Sequence, residues 1–161
     1  MNLNKLLNLQ QNLDSQIMKV NVSNGQSLIS KELLALQVNM GQLANETNCY
    51  KYWNTFSYFD NKAVLKHYVR CMHFIISLGV TKKYRNVDTK PSMLSYDITE
   101  QFINLFIDIN DFIVCSSKDH FATLLEDFLS LGRFLNFTEN EIEDAFSNKM
   151  YGDIFEERQV Q

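Results

Sequence analysis

The sequence predicts an all-α protein, a helical bundle of about six helices with a four-helix core, folded as a single domain over residues 1–161. Three observations carry this expectation. Apolar residues recur at spacings of three and four through most of the chain, the pattern of helices with one buried face. Helix breakers are scarce, with one proline and five glycines in 161 residues. No internal repeat, heptad run or low-complexity segment points to another architecture.

Composition narrows the function classes. The chain is long enough for a substantial core, and its 45% hydrophobic and 21% charged content is ordinary for a globular domain. A net charge of −4 argues against a protein that grips a nucleic-acid backbone. Cys49, Cys71 and Cys115 are odd in number and lack metal-ligand spacing, so reduced thiols in a cytosol are expected. There is no charged-then-apolar leader, and no apolar run approaches the roughly 18 residues of a membrane span.

Residues 2–20 form the first predicted helix, with Leu3, Leu6, Leu7, Leu13 and Ile17 on one side. Gln11 and Asp14 stand three apart and share a face, which on one helix alone reads as solvated. Residues 21–27 are a turn. The stretch around which the chain is expected to organise runs from Lys31 to Trp53. Leu33, Leu36, Met40 and Leu43 make its packing face, and Ala35, Asn39, Gln42 and Glu46 make a second, polar line. From Asn45 to Phe59 it breaks into an aromatic patch with Tyr50, Tyr52, Trp53, Phe56, Tyr58 and Phe59. A core corner is the expected reading; a stacking wall for a flat ligand is the alternative.

The next helix covers Asn61 to Gly79, with Leu65, Val69, Met72 and Ile76 buried and Gly79 as its C-cap. Lys66, Arg70, His73 and Ser77 share another line, with His67 just before Arg70. Residues 80–94 form a polar loop, whose length implies function or mobility. A helix from Ser95 to Val114 carries Asp97, Asp108 and Asp111, read as solvated charges. Another spans Lys118 to Leu135. Thr138 and Glu141 then form a capping box that starts a short helix to Met150. The tail from 151 is expected to fray unless it docks. No Gly-rich phosphate loop, His-Glu-x-x-His, Gly-x-Ser-x-Gly or cysteine pair is present, so sites are expected between facing helices.

Two stretches carry a resemblance. Leu43, Ala44, Asn45, Glu46 and Thr47, followed by Tyr50, Lys51, Tyr52 and Trp53, are similar to a motif of the dimeric all-α dUTPases, within the wider all-α nucleotide pyrophosphohydrolases. Tyr68, Val69 and the run from His73 to Gly79 resemble that family's next motif. Leu9 to Asp14 and Phe137 to Gln159 match in style. The likeness covers nearly the whole chain and is nearest to phage and Gram-positive members. It implies a homodimer that cleaves dUTP to dUMP and pyrophosphate, with Mg²⁺ held by Glu-x-x-Glu on one helix and Glu-x-x-Asp on the next. Magnesium wants oxygen ligands, bridges phosphates and activates water.

This chain departs at each of those four positions. Asn39 and Gln42 replace the first pair, and His67 and Arg70 replace the second, leaving Glu46 as a retained neighbour. A unit charge opposing another at ~4 Å and an effective dielectric near ~20 costs about 4 kcal/mol, and roughly double against a dication. No metal and no catalytic residue are therefore expected, and Arg70 can pair with Glu46. The resemblance associates Gln11, Trp53 and His73 with base and sugar, places Asp14 where relatives carry Asn or Asp, and lets Lys51 touch phosphate. Lys149 survives from the C-terminal phosphate segment, while Met150 and Asp153 stand where Asn belongs. The expectation is a pseudoenzyme of phage or mobile-element origin that acts by binding, such as on a pathogenicity-island repressor. An active dUTP pyrophosphatase with an altered metal site and a non-hydrolysing deoxyuridine-nucleotide binder are the alternatives.

Overall fold

A computed structural model describes residues 3–21, 28–54, 59–91 and 97–156, and their side chains except those of 16–21 and 149–156. These residues form six α-helices and no strand: α1 (Leu3–Asn21), α2 (Leu28–Thr47), α3 (Asn61–Thr81), α4 (Ile98–Val114), α5 (Lys118–Phe134) and α6 (Glu139–Glu156). No described helix is long and apolar enough to cross a membrane.

The helix starts follow local chemistry. Asp60, Asp97 and Ser117 take extended backbone and cap α3, α4 and α5 by accepting from Lys62 N, Glu100 N and His120 N. Asp97 is thus a cap rather than a free surface charge. The capping box before α6 forms as its residues require. Thr138 Oγ1 accepts from Glu141 N at 3.2 Å, and Glu141 Oε2 accepts from Thr138 N at 2.8 Å. The bond from Thr138 N, and a second from Thr138 Oγ1 at 2.7 Å, hold the exposed Glu141 carboxyl below its ordinary range. The backbone of α6 continues to Glu156, so its first six residues beyond 150 are helical rather than frayed.

The middle of the molecule belongs to α3, not to the Lys31–Trp53 stretch. Val64, Tyr68, Val69 and nearly every residue from Cys71 to Gly79 are buried, and α3 packs against α1, α2, α5 and α6. A helix apolar around most of its circumference can only be stable inside. Tyr68 stacks on Phe128 with centroids 4.4 Å apart, meets Phe137 edge-on, and donates its hydroxyl to Phe128 O at 3.2 Å. Gly132 faces this ring, and Gly79 faces Phe121.

Gly79 is therefore not a C-cap. It lies inside α3, where a Cβ would come 2.6 Å from Phe121 Cζ. The helix runs on to Thr81, and the left-handed residue beyond it is Lys83, at φ 59°. The central stretch also ends earlier than Trp53. Asn48, at φ 56°, closes α2 after Thr47. The chain then turns outward, and of the described aromatic patch only Phe59 packs against the core. Tyr52 is 93% exposed and Trp53 65%, with Tyr50 also on the surface. Phe56 and Tyr58 lie outside the described residues. The described part of the polar loop is anchored: Tyr84 donates to Ser116 O, Lys90 N to Glu126 Oε1, and Lys118 Nζ to Asn86 O.

Asp108 is not a solvated charge either. It is half-buried on α4 against Asp127 of α5, and burial, then the Asp127 charge, push its carboxyl up to about 7. The raised value means that the folded state holds the proton more tightly than the unfolded chain. The associated stability is complete below the ordinary value of 3.8 and is lost as pH rises through about 7. Asp108→Asn removes this dependence. By urea denaturation the variant should be more stable than the parent at about pH 8, on the order of 1–2 kcal/mol after discounting for solvent screening of a half-buried pair, with the gap closing near pH 4.

Candidate functional site

α2 and α3 pack side by side along one seam, where the second line of α2 reaches α3 through Glu46 and His67. Asn39 turns back on its own helix, donating Nδ2 to Ala35 O at 2.7 Å. Gln42 is exposed, and Arg70 is half-buried. Glu46 Oε1 lies 3.9 Å from His67 Nε2, a contact that is ionic when the imidazole is protonated. The seam thus offers one carboxylate, one imidazole, two carboxamides and a guanidinium. Among the described residues no group of three or more His, Cys, Asp or Glu could hold a metal ion. Magnesium requires anionic oxygen from several directions. One acid facing a histidine, with a permanent cation on the next turn, does not fit it.

Further along the same helices lies a tighter cluster. His73 is buried, and its Nδ1 lies 2.8 Å from Gln10 Oε1. A carbonyl oxygen only accepts, so His73 donates there. Gln10 in turn donates Nε2 to Asp14 Oδ1 at 2.8 Å. Ser77 Oγ lies between Asp14 Oδ2, at 3.0 Å, and Glu32 Oε1, at 2.9 Å. The His73 ring stacks on Phe146 of α6, centroids 3.9 Å apart. Burial raises Asp14 above the ordinary carboxylate range against the opposing bonds from Gln10 and Ser77. Burial also raises Glu32; Ser77 and Thr81 oppose the rise, and the Asp14 charge adds to it.

The expected nucleotide residues fall into separate places. Asp14 and His73 come together through Gln10. Gln11 is exposed and opens into a different cavity of about 240 Å³, beside Lys83, Tyr84 and Arg85. Lys51 Nζ donates to Asn48 Oδ1 at 2.6 Å, and Trp53 meets Tyr52 edge-on at 5.1 Å, both in the outward turn after α2. The side chain of Lys149 lies outside the described residues. A cavity of about 510 Å³ between Thr47, Leu65, Phe134 and Phe137 is lined by none of them. Sequence reasoning missed Gln10, Glu32 and Ser77 as partners. The signal for Gln10 was its i, i+4 spacing to Asp14, which puts the two on one helical face.

Together, the fold and the seam define an all-α bundle built around two facing helices that present polar side chains to each other. The sequence model of the dUTPase family matches residues 2–160, and the chain belongs to that all-α dUTPase family. No curated protein and no solved structure matches it.

Proposed function

We propose that this chain is a catalytically silent member of the dUTPase family that works by binding. One observation carries the reading. At the four positions where the resemblance places metal-binding acids stand Asn39, Gln42, His67 and Arg70, with no carboxylate among them. The family's bundle survives around a seam that has lost its anionic character. The partner is a regulatory protein, of the kind that represses a phage-inducible pathogenicity island, and the protein acts as a homodimer of phage or mobile-element origin in a bacterial cytoplasm. The exposed turn of Tyr50, Tyr52 and Trp53 supports a protein partner, because Trp and Tyr dominate the energetics of protein interfaces.

The test has two measurements. Incubation with dUTP and Mg²⁺ should release no dUMP. Titration with such a repressor should give saturable binding, weakened about tenfold or more by Trp53→Ala. Magnesium-dependent hydrolysis would establish instead an active pyrophosphatase with an altered metal site. Saturable binding of a non-hydrolysable dUTP analogue without repressor binding would establish a nucleotide binder.

A further inference from the structure

Ser77 presents a hydrogen-bond accounting problem. Its Oγ contacts carboxyl oxygens on both sides, Asp14 Oδ2 at 3.0 Å and Glu32 Oε1 at 2.9 Å. A hydroxyl has one proton to give. With both acids ionised, one of these oxygen–oxygen contacts would hold no hydrogen. A proton on one carboxyl gives each contact its own hydrogen, whereas one hydroxyl hydrogen split between two carboxylates would serve both poorly. Asp14 Oδ1 already accepts from Gln10, which suits an ionised acceptor. Glu32 is 9% exposed, where a carboxylate charge is costly to hold. A neutral acid tolerates that far better than a carboxylate does. The chain of bonds therefore runs from Glu32 to Ser77 Oγ, and from Ser77 to Asp14 Oδ2.

We infer that Asp14, Ser77 and Glu32 form a clasp closed by one shared proton, which ties α1 to the α2–α3 pair and opens when that proton leaves. Each helix supplies one member. Opening would also release Gln10 from His73, since Gln10 is held by Asp14. The groups facing the clasp are Gln10 on α1 and Thr81 and His73 on α3, with Phe146 of α6 covering His73. Among these His73 is the titratable one, reached through Gln10. Both acids are raised from their ordinary values of 3.8 and 4.5. The shared proton sits on Glu32, so its contribution is complete below 4.5 and is lost as pH rises through the higher folded value. The inference is independent of whether the protein hydrolyses dUTP.

Infrared spectroscopy of the full chain tests it, in an Asp108→Asn background so that the Asp108–Asp127 pair adds no signal. The carbonyl stretch of a protonated carboxyl should persist above pH 4.5, the ordinary glutamate value, and disappear on Glu32→Gln. That variant keeps a donor to Ser77 that never ionises. It should melt about 2–4 °C above the background at pH ~9, with no gain near pH ~4. Should Glu32→Gln not fold, Ser77→Ala in the same background should shift the carbonyl band, because the hydroxyl that takes the carboxyl's hydrogen bond is gone. Absence of the band, a band indifferent to the substitution, or a melting offset equal at all pH overturns the clasp. So does a saturable rise in melting with Mg²⁺ or Ca²⁺ that Glu32→Gln abolishes, because a cation would then bridge the acids.

Discussion

The fourfold variant Asn39→Glu, Gln42→Glu, His67→Glu, Arg70→Asp is expected to bind Mg²⁺, and the parent protein is expected not to. Positions 39 and 42, and 67 and 70, stand three apart on facing helices, so each pair shares one helical face. With Glu46 retained, the seam would hold five acids and no guanidinium. Without metal these acids repel one another, and the variant should melt below the parent. At a metal concentration about a hundred times the Kd, binding returns about 2.7 kcal/mol, or roughly 5–10 °C in a chain of this size. Calorimetric melting with and without Mg²⁺ reads this directly. A melting point indifferent to the ion would show that the α2–α3 backbone no longer has the spacing the family's chemistry requires, and the loss of acids would then be a consequence of drift in the scaffold.

The second large effect lies in the core. Gly132→Ala should destabilise the fold by about 1–3 kcal/mol, even though alanine favours a helix. Its Cβ would fall 2.8 Å from Tyr68 Cζ, and closer still to the hydroxyl oxygen. Tyr68 cannot retreat. It is fully buried, stacked on Phe128 and hydrogen-bonded to Phe128 O. Tyr68→Phe removes the nearest atom, at a cost of about 1 kcal/mol for the lost bond. In that background Gly132→Ala should cost less, and the double-mutant cycle should show coupling of at least ~0.5 kcal/mol. Urea midpoints of the four proteins measure it. Strict additivity would mean that α3 and α5 separate without resistance at this point.

Much of the fold is legible in the residues themselves. Spacing of apolar side chains finds all six helices, and Thr138 and Glu141 announce the start of α6. The errors arise where a side chain's meaning depends on a neighbour distant in sequence. Gly79 looks like a terminator because glycine usually is one. Its actual role is to admit Phe121, 42 positions later, which local pattern cannot show. Tyr50, Tyr52 and Trp53 look like core because aromatic residues usually are. The left-handed turn at Asn48 sends them outward. Asp108 looks solvated until α5 brings Asp127 against it.

The candidate site was legible in part. That no acid stands at 39, 42, 67 or 70 is a matter of residue identity and needs no coordinates. The buried cluster does need them. Glu32 is one acid near the start of a mixed helix, and nothing local distinguishes it from a surface charge. Its partners come from α1 and α3. Gln10 and Gln11 differ by one position, about 100° around the helix, and that step decides which amide meets His73 and which meets solvent.

The position of α3 has a consequence for synthesis. The helices that cover it are encoded on both sides, α1 and α2 before it and α5 and α6 after. As the chain leaves the ribosome, α1 to α3 can assemble early, but the flank of α3 bearing Tyr68 stays bare until Phe128 and Phe137 have been translated. For that interval the nascent chain presents a greasy, half-dressed helix to the cell, the kind of surface that chaperones hold and that a stalled or truncated product would use to aggregate.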